Sequence, residues 1–383
     1  MWLWVAHALW HSTVPSSLHE PPLDPRSYFS QAFLSSSSSY ERFLYLDWLL
    51  STVVLLAVLI VYARRGERLM RESAAGPIGT GMLLGMLGFA LVWIAQIPFG
   101  LAAVWWERRH HISYQGYVSS LLQSFAALGG KFLFISLALV IAMAFARVLR
   151  SWWWLAAAPL FVGLALLSTW LSFYLIPETK PLRNPATLAD ARALASAEGV
   201  PNTHVAVQDV QRFTTAPNAE SVGFGGTRHV ILWDTLLDGR FSRREVRVVI
   251  AHEFGHLAHE HPLKRVGWLA LFLLPAGALI AYFTRKRGGM GRPEAVPVAL
   301  LVFVVLQLVA MPLLNIVSRR EEAEADWSAL QATHDPQAAR QLFRNLALTS
   351  HEDPDPPSWS YAIGANHPTI MQRIAMVEAA DKH

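Results

Sequence analysis

The 383-residue chain contains no cysteine, which excludes disulfide frameworks, Cys-type zinc sites, iron–sulfur clusters and thiol nucleophiles together. Any metal must be held by His, Asp or Glu. Charge is scarce as well. Only 16% of the residues are Asp, Glu, Lys or Arg against 53% hydrophobic, where a soluble domain carries about 25% charged. That balance excludes a disordered chain, and no collagen or coiled-coil pattern is present. The net charge of +4 is small. Its Lys and Arg residues gather at the ends of apolar runs, as membrane-flanking charge does, so no nucleic-acid partner is expected.

What the chain does have is six long apolar runs: Phe43–Tyr62, Met82–Trp106, Phe125–Ala146, Trp152–Ile176, Val266–Phe283 and Ala295–Val317. Each can cross a hydrocarbon core of about 30 Å as a helix. Trp105, Trp106, Trp152, Trp153 and Trp154 cluster at span ends as interface anchors. The expectation is an integral multi-pass protein, monomeric, with the lipid bilayer as its surroundings. Asp47 and Lys131, the lone charges inside runs, are read as lying near span ends, where long side chains reach the interface. No internal repeat points to a transporter. Residues 1–42 read as an N-terminal tail. Met1–Trp10 is too short to span and lacks the basic start of a signal peptide. Ser12–Tyr40 is rich in Ser and Pro, as a surface segment is.

Four spans (43–176) precede a water-compatible stretch, Pro177–Arg265, and a second one, Ser318–His383, follows the last two spans (266–317). The two stretches total about 155 residues, enough for one compact domain. Thr187–Glu198 reads as an amphipathic helix ended by Gly199, Val200 and Pro201, with strands at His204–Gln208 and Arg228–Trp233. Pro217–Gly226 reads as a loop or irregular edge. Ser242 and Glu245 match a capping box that opens a helix running to about His259, with Pro262 beyond it.

That helix carries His252, Glu253, Phe254, Gly255 and His256, an HExxH motif. Two histidines at i and i+4 share one helical face and can bind a single zinc ion, while Glu253 projects where it can take a proton from water. Val246, Val249, Ile250 and Phe254 give the helix an apolar side. Catalytic zinc takes a third protein ligand and keeps one position open. His259 falls on the same face, but three ligands on one straight helix spread over about 10 Å, too far to converge. His259 and His261 are read instead as a polar, partly exposed helix end. Glu322 is the stronger candidate: it and Asp326 are spaced i, i+4, so Glu322 can ligate the ion while Asp326 holds a ligand histidine through its second nitrogen. Glu321 and Glu324 are read as pointing away into solvent. Leu237, Asp238 and Gly239 spell the LDG of a different intramembrane protease type, but in a polar connection that reads as a turn.

HExxH followed, after two intervening spans, by the ExxAD run from Glu322 to Asp326 resembles the membrane-embedded gluzincin proteases, which include the type 1 CAAX prenyl endopeptidase and the bacterial heat-shock membrane protease. Three further segments carry the resemblance. The run Asn218, Ala219 to Gly223, continued by His229–Leu237, is similar to the family's substrate-side strand and following helix. His367 and Pro368, with Arg373 and Ile374 beyond, are similar to its C-terminal His-Pro segment. Trp106–Ile112 is similar to a loop typical of the CAAX branch. Four spans before the catalytic helix fit that branch better than the heat-shock branch. Two departures stand: the branch has seven spans where six are readable, and its second proline after the C-terminal His is Thr369 here.

The resemblance implies an all-α multi-spanning membrane protein, a helical ring enclosing a chamber, with a small α+β zinc domain of gluzincin type. It implies one zinc ion on His252, His256 and Glu322, with Glu253 as catalytic base and His367 near the oxyanion or positioning substrate. Asn218, Ala219, Gly223 and Arg373 would bind substrate, a hydrophobic or lipidated, CAAX-like polypeptide. A heat-shock-type quality-control protease, or a scaffold with a relict zinc site, is the alternative. Orientation is left open by charge: ten Lys and Arg residues flank the spans on each side, Arg71 among them. Short loops weigh more, which favours an external zinc domain, whereas the resemblance implies a cytoplasmic one.

Overall fold

The computed structural model describes residues 2–66, 68 and 75–381; Met1 and Arg71, which entered the sequence reading, lie outside them. A short helix α1 (Trp2–Leu9) is followed by α2 (Gln31–Arg65), α3 (Gly76–Arg109), α4 (Tyr117–Leu149) and α5 (Trp153–Leu175). Among the described residues five continuous helical stretches are long and apolar enough to cross a membrane, and the third, Tyr117–Leu175, runs for 59 residues. One straight helix of that length would measure about 88 Å. It is broken at Arg150, whose φ of 55° lies in the left-handed region, into α4 and α5, so six spanning helices result with the later α8 and α9.

The polar stretch after α5 forms β1 (Thr179–Pro181), α6 (Pro185–Ala197), β2 (His204–Gln208), β3 (Ala219–Val222), β4 (His229–Trp233) and α7 (Arg243–Ala258). α8 (His261–Thr284) and α9 (Val296–Thr333) then cross and return, and α10 (Pro336–Ser350), α11 (Ser358–Gly364) and α12 (Ile370–Ala380) close the domain. The four strands are ordered β1-β2-β4-β3, with β2 and β4 parallel and the outer pairs antiparallel. One apolar core joins both polar stretches, from Leu194, Ile250 and Phe254 to Leu342 and Ile374. A second lies at the far end of the spans, around Leu59, Leu84, Met143 and Val296.

Between these cores the spans do not pack. Among the described residues none is buried over 41–58 of α2, 89–103 of α3, 159–175 of α5 or 301–320 of α9. A solid bundle would bury a stripe along each helix. The accessible surface is 19740 Å² for 42.7 kDa, against about 15,000 Å² for a compact protein of that mass. Helices joined at both ends and parted in the middle enclose a chamber.

One sequence reading needs correction here. The segment 1–42 is not a tail. Ser30 caps α2 by accepting the Phe33 amide, so the helix starts at Gln31 and the Ser-rich run is its first turns. Phe29 is buried in the zinc-domain core, with Val14, Leu18, Leu23, Phe33 and Leu34 against it. Composition alone hid this, because small serines at helical spacing allow close approach: Ser37 is fully buried.

Candidate metal centre

α7 is set by its capping box: the Ser242 hydroxyl accepts the Glu245 amide and the Glu245 carboxylate accepts the Ser242 amide, at 3.3 and 2.8 Å. The helix is buried on nearly all sides, His252, Glu253 and His256 included. It crosses α9 at Gly255, where an added Cβ would stand 3.0 Å from Ser328 Cβ and 3.3 Å from Ala325 Cα. That close approach brings Glu322 and Asp326 to the HExxH face. α9 runs unbroken from membrane into domain, so Glu322 is held by a rigid rod.

His252 Nε2 and His256 Nε2 are 3.1 Å apart. Glu322 Oε2 lies 3.2 Å from His252 Nε2, and Glu322 Oε1 3.5 Å from His256 Nε2. Zinc with ligands at about 2.0–2.1 Å in a tetrahedron has ligand–ligand edges of about 3.4 Å. The three donors therefore fit one such ion. Glu322 Oε2 is also buried without a hydrogen-bond donor, as a carboxylate oxygen meant for a cation would be. Burial alone would push His252 down, but the Asp326 and Glu322 carboxylates overcome it and push its pKa up to about 10. The pocket favours positive charge.

Behind His252, Asp326 Oδ1 lies 2.8 Å from Nδ1. Arg373 holds Asp326: Nε and Nη2 donate to both of its oxygens at 2.8 and 2.6 Å, with the guanidinium over the Phe343 ring. It also lines the cleft. Gly223 is not among the residues that line the cleft. Its φ of 79° and a would-be Cβ 2.1 Å from Thr227 O place it in a turn. His261 and Glu324, read as exposed, are buried. Glu260 at φ 56° turns the chain sharply, so Pro262 starts a new helix and His261 folds back over His256.

A cleft of about 320 Å³ is lined by His252, Glu253, His256, Glu322, Asp326 and Arg373 and by Asn218, Ala219, Glu220, Ser221, Arg265, Ser318 and His367. β3 is the outer strand of the sheet. Asn218 O accepts the Trp233 amide; by antiparallel alternation the backbone groups of Ala219 and Ser221 then face outward. The Trp106–Ile112 loop buttresses this entry, with the Thr215 amide donating to Ile112 O at 3.0 Å. Glu220, which the sequence reading passed over, is pushed up by burial and by the charge of Glu253. His367 Nε2 is 3.3 Å from Glu322 Oε2 and its side chain is half exposed; desolvation in the cleft pushes its pKa down.

The profile of Peptidase family M48 matches residues 181–381. The uncharacterized metalloprotease YhfN of Bacillus subtilis (strain 168) is 26% identical over 96% of this chain and 90% of its own length. A CAAX prenyl protease 1 homolog of Oryza sativa subsp. japonica is 28% identical over 49% of this chain and 46% of its own. A protease HtpX homolog of Burkholderia mallei (strain SAVP1) is 29% identical over 56% and 74%. The crystal structure of S. mikatae Ste24p has the same fold, with a TM-score of 0.77 over 98% of this chain and 96% of that one at 14% identity.

Proposed function

The chain belongs to peptidase family M48, and from that premise we propose that it is a zinc endopeptidase cutting hydrophobic, membrane-associated or lipidated (CAAX-like) polypeptides. That it is an integral-membrane metalloendopeptidase follows from the family and its apolar helices. One observation carries the rest. Three donor atoms at tetrahedral spacing, a buried carboxylate beside them and an open strand edge share one cleft.

His252, His256 and Glu322 would hold the metal. When bound, zinc lowers the pKa of water toward neutrality and polarises a carbonyl. Glu253 accepts the proton of the attacking water and later delivers it to the leaving amine. The substrate lies extended along β3, adding a strand through the outward groups of Ala219 and Ser221, with Asn218 at the start of that edge. His367 donates to the developing oxyanion. For Nε2 to carry that proton, Nδ1 must accept from the Asn366 amide 2.9 Å away, which the interchangeable amide orientation allows. Arg265 and Ser318, where α8 and α9 join the domain, line the cleft, which supports substrates arriving from the membrane.

Purified Glu253→Gln protein is expected to keep its zinc and lose about 10²- to 10⁴-fold in turnover. Retained activity would remove Glu253 as base. The same assay with one peptide sequence, lipidated and unlipidated, tests the substrate class: equal rates would refute the preference for lipidated chains. Cleavage confined to unfolded membrane proteins would favour quality control instead.

A further inference from the structure

His256 is backed by a line of buried polar groups that the reaction above does not use. Its Nδ1 lies 2.7 Å from His261 Nδ1, and His261 Nε2 lies 3.0 Å from Glu324 Oε2. His261 is 0% exposed and Glu324 is buried. Glu324 Oε1 accepts the backbone amide of Thr13 at 2.6 Å, and Lys264 Nζ donates to Oε2 at 3.3 Å. The N-terminal segment is docked on the same face of α9 one turn earlier, where Arg320 Nε donates to Trp10 O at 2.8 Å and stacks over its ring. His252 has a different support, Asp326 with Arg373.

The proton order along this line has one consistent solution. A His256 that ligates through Nε2 carries its proton on Nδ1. The group facing that proton is His261 Nδ1, which must therefore accept. The His261 proton then sits on Nε2 and is donated to Glu324, whose carboxylate only accepts. Reversing His261 would set two N–H groups against each other at 2.7 Å.

We propose that His261 and Glu324 are positioning residues that lock His256 in its metal-ligating tautomer. The Thr13 amide completes the relay, so that the N-terminal segment supports a centre built far from it in sequence. The proposal rests on His256 being a metal ligand, as read above.

Zinc affinity of the full-length protein in detergent, measured by competition with a fluorescent chelator, tests it through four variants. His261→Phe keeps ring volume but removes acceptor and donor, and is expected to raise the zinc Kd about 10- to 100-fold. His261→Gln, whose amide can accept from His256 and donate to Glu324, is expected to restore most of that affinity. Glu324→Gln is nearly isosteric, but whichever way its amide turns, an NH2 group meets the donor of either His261 or Thr13, so it is expected to weaken zinc severalfold. Thr13→Pro deletes the one amide donor and is expected to weaken zinc severalfold.

Parent-level affinity in His261→Phe and Glu324→Gln would overturn the relay, and a Gln variant as weak as the Phe one would reduce His261 to packing. Parent affinity in Thr13→Pro would remove the N-terminal segment from it. Should His261→Phe fail to fold, Glu324→Gln decides on the same terms. A parent protein that binds no zinc would instead overturn the ligand assignment itself.

Discussion

Glu322 and Asp326 are one turn apart on α9 and do different work because of what stands behind each. Glu322 presents Oε2, which has no hydrogen-bond donor, to His252 and Oε1 to His256, whereas both Asp326 oxygens are taken by His252 and Arg373. Glu322→Ala is expected to drop metal content well below one zinc per chain by elemental analysis. Stoichiometric zinc in that variant would reopen the third position to His259. Arg373→Met should act on stability and zinc together: breaking the buried Arg373–Asp326 pair leaves Asp326 with His252 alone and costs up to about 3–5 kcal/mol, read as a lower melting temperature of the zinc domain. A change confined to KM would return Arg373 to substrate binding. The histidine and carboxylate candidates could be named from HExxH and i, i+4 spacing. Glu324 and His261 could not, because no local signal says that Glu260 reverses the chain.

Among the elements, the crossing of α7 on α9 decides whether a centre exists. Gly255 is the contact that sets their separation. Gly255→Val would force a branched side chain against Ala325 and Ser328, a misfit of about 1–3 kcal/mol. Since His252 and His256 sit on one helix and Glu322 on the other, weaker zinc binding is expected alongside lower thermal stability; a variant destabilised with unchanged zinc affinity would contradict this coupling. Helix α7 was readable from its capping box and apolar residues. β1 was not, and β3 was legible only through the family resemblance, since strands of three and four residues carry too little alternation to show a period.

The whole molecule is two cores joined by helices that part between them. The zinc-domain core is completed by the N-terminal segment, with Phe29 buried in it. Deletion of residues 2–29 is therefore expected to lower the melting temperature of the purified protein by several degrees and to weaken zinc binding, checked by thermal unfolding and the chelator titration. An unchanged melting temperature and affinity would restore the reading of these residues as a dispensable tail.

Hydropathy, run length and one motif sufficed to give a multi-pass membrane chain and the chemistry on α7, because lipid demands uninterrupted apolar helices and a metal demands donors at helical spacing. What holds His256 and where residues 1–42 go were decided by the fold. Those outcomes rest on contacts between segments tens to hundreds of residues apart, such as Thr13 with Glu324. Local periodicity records the environment of each helix face, not the identity of the partner that covers it.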